Sequence, residues 1–292
     1  RALSSLENID KLFREIPEEH DEELFISKNA DEKFAKRFND FQELQFDDVY
    51  FRYTEKSPWV LKGVSFKVKK GDRVAIVGST GSGKSTIVRV LNRIYTSYEG
   101  SITINGMEIK EIPRSFLHRM VALMQQESYL FAESISFNIA LNREEITLEK
   151  VKKASKYVYA NTFIEKFPEE YDYKLLEGGK NISEGQGRLI VFARALAEES
   201  DLIVLDEATS SVDSVTENLI QKAIERIFKD KTVIAIAHRL STIRNSDLIL
   251  VMNAGKIVER GSHKNLIEHK GVYAGLIETL SEEAEMVILP SK

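Results

Sequence analysis

The chain has 292 residues with 42% hydrophobic and 30% charged side chains, enough for one large domain or two small ones with a sizeable core. Its net charge of −5 argues against a broad nucleic-acid-binding surface, and the absence of cysteine excludes both a disulfide framework and a thiolate metal site. No stretch reaches the ~18 uninterrupted apolar residues of a membrane span, and the first residues do not read as a signal peptide.

In chain order, Leu3, Leu6, Ile9 and Leu12 recur every third residue, with Phe13 beside them, so residues 1–16 predict a short amphipathic helix ended by Pro17. Residues 18–44 are rich in Glu, Asp and Lys and read as a linker. The compact domain is expected from about Gln45 to 280, with 281–292 as a tail. Phe46 to Tyr53 and Val60 to Val68 read as strands. Arg73-Val74-Ala75-Ile76-Val77 is a short apolar strand running into Gly78-Ser79-Thr80-Gly81-Ser82-Gly83-Lys84-Ser85. Thr86 to Ile94 then predicts a helix with Ile87, Val88, Val90, Leu91 and Ile94 on its buried side. Asn105-Gly106, between Ile102-Thr103-Ile104 and Met107-Glu108-Ile109, signals a tight hairpin. From about 113 to 196 the pattern is mostly helical. The runs Leu202–Leu205 and Val233–Ala237 are too short for helices and lack polar alternation, as expected of strands buried on both faces of a parallel sheet. Leu248–Met252 is a third apolar run. His263 and His269, on a polar stretch, read as solvated.

The segment 78–85 matches G-x-x-x-x-G-K-[ST] in full. Its glycines let the backbone wrap tightly and aim N–H groups inward, and the helix that follows adds a dipole favourable to an anion. Lys84 is expected to contact β- and γ-phosphates, and Ser85 to ligate Mg²⁺. Asp206 and Glu207 end the run Leu202-Ile203-Val204-Leu205. At a strand tip, Asp206 suits Mg²⁺ and Glu207 suits a general base that orients the attacking water.

Between these motifs lies Ile182-Ser183-Glu184-Gly185-Gln186. With the phosphate loop and the carboxylates, it resembles the signature of the nucleotide-binding domain of ATP-binding cassette transporters, usually Leu-Ser-Gly-Gly-Gln. The resemblance runs from about Phe46 to Ile277. It implies a P-loop NTPase core with a mostly parallel α/β sheet, an N-terminal antiparallel β subdomain and an inserted helical subdomain. It further implies ATP and Mg²⁺ as ligands, and ATP hydrolysis coupled to transport. By position, Tyr53 matches the aromatic that stacks on adenine, and Gln126 the residue that contacts Mg²⁺ and water. Glu177 matches the acidic residue of the loop that precedes the signature in exporters. Asp213, in Ser210-Ser211-Val212-Asp213, matches a loop that crosses to the partner, and His238 the histidine that touches the γ-phosphate.

The resemblance implies a head-to-tail pair of cassettes that sandwiches two ATP molecules. The phosphate loop with Thr86 comes from one chain, and Ser183, Gly185 and Gln186 from the other. The pair can be a homodimer or an asymmetric heterodimer. Other implied features are a transmembrane domain as partner, a place at the cytoplasmic face of the membrane, solubility as a fragment, and no nucleic acid. The stripe Leu3–Leu12 resembles the cytosolic extension of an exporter's last transmembrane helix. The alternative is a soluble cassette ATPase of DNA repair or translation, against which stand a single cassette and no sustained heptads. The chain departs from the pattern at Glu184 (usually Gly), at Gly187 and Leu189 (usually Arg) and at Gly178 (usually Arg in exporters).

Overall fold

The structure is a computed structural model that describes residues 40–124, 129–206, 214–237 and 239–288. The expected helix of residues 1–16 and the expected linker as far as residue 39 lie outside the described residues, whereas residues 40–44 of that linker are described. Strands β1 (Glu43–Phe51) and β2 (Leu61–Lys69) come first, then β3 (Arg73–Gly78) and helix α1 (Lys84–Leu91). The hairpin β4 (Tyr98–Ile104) and β5 (Met107–Glu108) follows. Next come α2 (Arg114–Met120), β6 (Val121–Met124), α3 (Ile135–Ala140), α4 (Leu148–Tyr157), α5 (Asn161–Ile164) and α6 (Glu184–Ala197). The chain returns through β7 (Leu202–Asp206), α7 (Ser214–Asp230), β8 (Thr232–Ile236) and α8 (Leu240–Arg244). It closes with β9 (Leu248–Asn253), β10 (Lys256–Gly261), α9 (His263–His269) and α10 (Val272–Ile288).

Two sheets result. The antiparallel one runs β2-β1-β4-β5. Alternation on β1 buries Leu44 and Phe46, breaks at Asp48 (φ 48°), and resumes with Val49 and Phe51, which are buried again. The break is a register shift between Phe46 and Val49, a bulge that turns Val49 back to the core. The hairpin is as the sequence predicts: Asn105 and Gly106 have φ of 51° and 73°, the pair of positive angles a two-residue turn needs.

The second sheet runs β10-β9-β3-β8-β7-β6. Five strands are parallel, and only β10 runs antiparallel, along β9. All five residues of β8 are buried, as are the first four of β7, because helices cover both faces. Burial of each aliphatic side chain stabilises by roughly 1.5–3 kcal/mol, set against chain entropy. Ile190, Ala193, Leu196 and Ala197 carry α6 into the same core. No helix among the described residues is long and apolar enough to cross a membrane.

Several expectations need correcting. The first strands end and begin earlier or later than read, with β1 stopping at Phe51 and Tyr53 in the bend beyond it. Helix α1 stops at Leu91, and Ile94 is 53% exposed rather than buried. The side chain of Asn92 donates to Val88 O at 2.9 Å, and Arg93 takes φ 53°, which turns the chain away from the helix axis. The stretch 113–196 contains β6, which belongs to the parallel sheet. The tail includes helix, since α10 reaches Ile288. His263 is not simply solvated: its Nδ1 lies 2.6 Å from the hydroxyl of the fully buried Tyr273.

The folded unit also begins before Gln45. Phe41 is fully buried and its N–H donates to Asp201 Oδ2 at 3.0 Å. The side chain of Asn105 holds this entry from the hairpin tip. Its Nδ2 donates to Asp40 O at 2.9 Å, and its Oδ1 accepts from Gln42 N at 2.8 Å and Glu43 N at 3.2 Å. Asn105→Gly keeps the turn angle but removes these bonds. It should lower stability by about 1–3 kcal/mol, read as an earlier urea midpoint; an unchanged midpoint would show that they contribute nothing.

Candidate active site

Parallel strands share the direction of their carboxyl ends, so β3, β6, β7 and β8 all end on one edge of the sheet. Ile76 of β3 and Asp206 of β7 are both level with Ile236 of β8. The phosphate loop therefore leaves β3 two residues beyond the level of Asp206, with β8 between them.

The loop is built on close approach. A Cβ on Gly78 (φ +149°) would stand 2.2 Å from Met252 O and 2.9 Å from Ser82 Oγ, so only glycine fits there. Gly255 N donates to Ser82 O at 3.1 Å, and the β9–β10 turn thus braces the loop from behind. Ser82 is buried, and its hydroxyl has no hydrogen-bond partner among the described residues. Gly83 caps α1, whose N–H groups at Lys84 and Ser85 lie in the first turn and have no carbonyl one turn behind them.

The Lys84 ammonium is 6% exposed by residue and donates to Gly78 O at 2.7 Å and Ser79 O at 3.0 Å. An ammonium has three donors, so this geometry keeps one for a further acceptor. Burial lowers its pKa, and the charge of Asp206 opposes that shift. The carboxylate and the ammonium thus sense each other across β8. Glycine wall, first-turn N–H groups, ammonium and the exposed Ser85 hydroxyl form an anion cradle of the right chemistry for a polyphosphate.

Tyr53 is 41% exposed, and its hydroxyl shares a hydrogen bond of 3.0 Å with Thr86 Oγ1. This ties the aromatic face to the phosphate-loop helix. Sequence reasoning missed the rest of the platform. Arg89 Nη1 donates to Tyr53 OH at 3.3 Å, and Tyr95 packs edge-on at 5.2 Å. The available signal was helical spacing, since Arg89 lies three residues after Thr86.

Ser183 is the N-cap of α6. Its Oγ accepts from Gln186 N at 3.2 Å, while Ser183 N donates to Gln186 Oε1 at 3.0 Å, a reciprocal capping box. The hydroxyl proton is not consumed by this cap and can still be donated. Glu184 is exposed in the first turn and Gly185 is buried. Glu177 is exposed and accepts from Tyr129 OH at 3.0 Å. Gln126, Glu207, Asp213 and His238 lie outside the described residues. Their described neighbours are Met124 and Asp206, which end β6 and β7, and Ala237, whose N–H donates to Ile76 O at 3.2 Å.

The sequence profile described as "ABC transporter" matches residues 61–210. The chain belongs to the ABC transporter family. It carries that family's ATPase domain. It is 38% identical over 285 residues to an ATP-dependent lipid A-core flippase of Chromohalobacter salexigens, covering 98% of this chain and 47% of the flippase. It is 41% identical over 258 residues to a probable multidrug resistance ABC transporter ATP-binding/permease protein of Bacillus subtilis, covering 88% of this chain and 38% of that protein. A structure of a bacterial Atm1-family ABC exporter with ATP bound superimposes with a TM-score of 0.74 at 36% identity, covering 86% of this chain and 43% of that one. The chain therefore spans less than half the length of these relatives. They are transporters, which speaks against the soluble repair or translation ATPase.

Lys84→Ala should abolish measurable nucleotide binding in a titration with fluorescent ATP. Tyr53→Ala should leave the phosphate cradle intact and weaken ATP binding by about 1–3 kcal/mol, the usual size of a lost base–aromatic stack. Equal ATP affinity in the parent and Tyr53→Ala would remove Tyr53 from the site.

Proposed function

We propose that this chain is the ATP-driven motor of a membrane exporter, working at the cytoplasmic face as a head-to-tail dimer with ATP between the phosphate loop of one copy and the signature of the other. The observation that carries the reading is the cradle around Lys84 at the sheet edge that also bears Asp206. Its complement is a second anion-binding helix start at Ser183.

In this reading Tyr53 holds the adenine, while Lys84, the loop N–H groups and Thr86 hold the phosphates. Ser85, Asp206 and Gln126 would hold Mg²⁺, which neutralises charge on the phosphoryl oxygens when bound. Glu207 takes a proton from water as its oxygen attacks the γ-phosphorus and the bond to the β-phosphate oxygen breaks, giving ADP and phosphate. A positioned base of this kind contributes ~10²–10⁴-fold. His238 contacts the γ-phosphate, and Asp213 reaches across the dimer. Because the triphosphate touches both surfaces, it stabilises the closed pair more than the open one, and hydrolysis removes that preference.

The motor also needs a surface for the membrane domain. A cavity of about 610 Å³ lies between α2, β6 and α6, lined among others by Ile94, His118, Leu123, Leu141 and Val191. None of the phosphate-loop residues line it. Burial, and then the nearby Arg114 and Arg143, lower the pKa of His118. With Ile94 and the charged Arg93, Arg114, Arg194 and Glu198 also lining it, the cavity offers a mixed apolar and charged seat beside β6, and this is where the reading places the transmembrane domain.

Glu184 stands at the signature where a glycine is usual, and its charge opposes a partner's triphosphate unless the side chain turns away. A homodimer and an asymmetric heterodimer are both compatible with the residues. Glu184→Gly should raise ATP turnover of the chain alone if the signature is weakened; equal turnover would count against that. Glu207→Gln should bind ATP, stop turning over and accumulate as a dimer on size-exclusion chromatography. Normal hydrolysis by that variant would refute the base.

A further inference from the structure

The aromatic platform at Tyr53 belongs to a chain of hydrogen bonds that begins further along α1. Arg89 is exposed on that helix, three residues after Thr86, and its Nη1 donates to Tyr53 OH at 3.3 Å. Tyr53 OH in turn lies 3.0 Å from Thr86 Oγ1, and Thr86 is buried. Among the described residues the Thr86 hydroxyl has no second hydrogen-bond partner. The Tyr53 ring is held by two other rings, both edge-on, with centroids at 5.1 Å for the fully buried Phe51 and 5.2 Å for Tyr95. Ring and hydroxyl are therefore fixed separately, the ring by packing and the hydroxyl by α1.

Chemistry sets the direction of this chain. A guanidinium has N–H donors and no acceptor, so the phenol oxygen accepts from Arg89. That oxygen shares its lone-pair density with the ring and accepts a second bond poorly, so its one proton points to Thr86 Oγ1. Thr86 then accepts, and its own hydroxyl proton is left for a ligand. Without Arg89 the phenol can accept from Thr86 instead, and that proton is used up inside the protein. Position decides which ligand group meets it. Thr86 adjoins the aromatic at 3.0 Å and follows Lys84 by two residues. With the base on Tyr53 and the outer phosphates on Lys84, the phosphate next to the ribose is the one that faces Thr86.

We infer that Arg89 is a positioning residue for the nucleotide: by donating to Tyr53 OH it orders the bonds from Arg89 through Tyr53 to Thr86, so that Thr86 presents a proton to the phosphate next to the ribose. This rests on the ATP site proposed above and gives Tyr53 a task besides stacking. Arg89 acts through Tyr53 and not on the nucleotide. The competing role for Arg89 is that of a cation in the last turn of α1, where it favours the helix dipole. That role changes stability and leaves nucleotide affinity alone.

The test is isothermal titration of the chain with ATP and with ADP, without divalent metal so that nothing is hydrolysed. Tyr53→Phe keeps the ring and removes the hydroxyl. It should raise Kd about fivefold, the usual size of one lost hydrogen bond, and equally for both nucleotides, which share the phosphate next to the ribose. Arg89→Met should do the same, and Arg89→Lys, which restores a donor, should return to within about twofold of the parent. In the Tyr53→Phe background Arg89→Met should add nothing, the mark of two residues that act in series. Parent affinity in Tyr53→Phe, with Lys84→Ala failing to bind, would overturn the chain of bonds and leave the ATP site standing. Parent affinity in Lys84→Ala would overturn both. A loss in Arg89→Met that is undiminished in the Tyr53→Phe background would also overturn the inference, because the charge would then act on the phosphates directly. So would a lowered Tm in Arg89→Met with parent affinity, because that is what the helix-end role alone produces.

Discussion

Everything at the site depends on the parallel pairing of β3, β8 and β7. Parallel strands cannot be joined by tight turns, so each must be followed by a crossover. The segments leaving their carboxyl ends start from a common edge. Register then sets the depth of each group. Ile76, Ile236 and Asp206 stand level, so the loop on β3 and the carboxylate on β7 are positioned by backbone hydrogen bonds before any side chain chooses a rotamer. The apolar content of β7 and β8 keeps this frame dry and rigid. It also explains how Lys84 can be buried with Asp206 as its counter-charge.

A second constraint acts at the signature. A helix leaves its first N–H groups without acceptors, and the domain meets this with Ser183 and Gln186. The same residues are the ones expected to meet a partner's phosphate. The two demands are compatible because a hydroxyl accepts and donates at once. The cap holds the hydroxyl oxygen in place, and a capped, dipole-aligned helix start is already organised for an anion. The cap and the proposed phosphate contact thus use different valences of one side chain.

The sequence made visible what is local. Gly78–Ser85 between a strand and a helix, the Asn105-Gly106 turn and the unbroken apolar runs of β7 and β8 each follow from neighbours in the chain, and all are found. What it hid is either short or distant. β6 has four residues directly after a helix, too few for any period to show. The exposure of Ile94 hangs on one left-handed residue, Arg93, to which a helical pattern is blind. The seat of Phe41 depends on Asp201, 160 positions away. At the candidate site the loop around Lys84 was legible by motif and Tyr53 was proposed only by its position in the resemblance, whereas the support from Met252, Gly255 and Tyr95 was not legible, because it comes from elements that carry no motif of their own.

The distant supports also explain why the site is legible as a motif at all. The phosphate loop requires a glycine at Gly78 because the Met252 carbonyl occupies the place of a side chain. The β9–β10 turn then fixes the loop through the backbone carbonyl of Ser82, a bond that does not depend on the side chain. A pattern of small residues is thus the imprint of the strand packed behind it. The same logic holds on the signature side, where Gly179 and Gly187 mark the path of Leu130. In both places glycine records a neighbour's position, and the two neighbours, β9 and the segment after β6, are what tie the cradle and the signature into one domain.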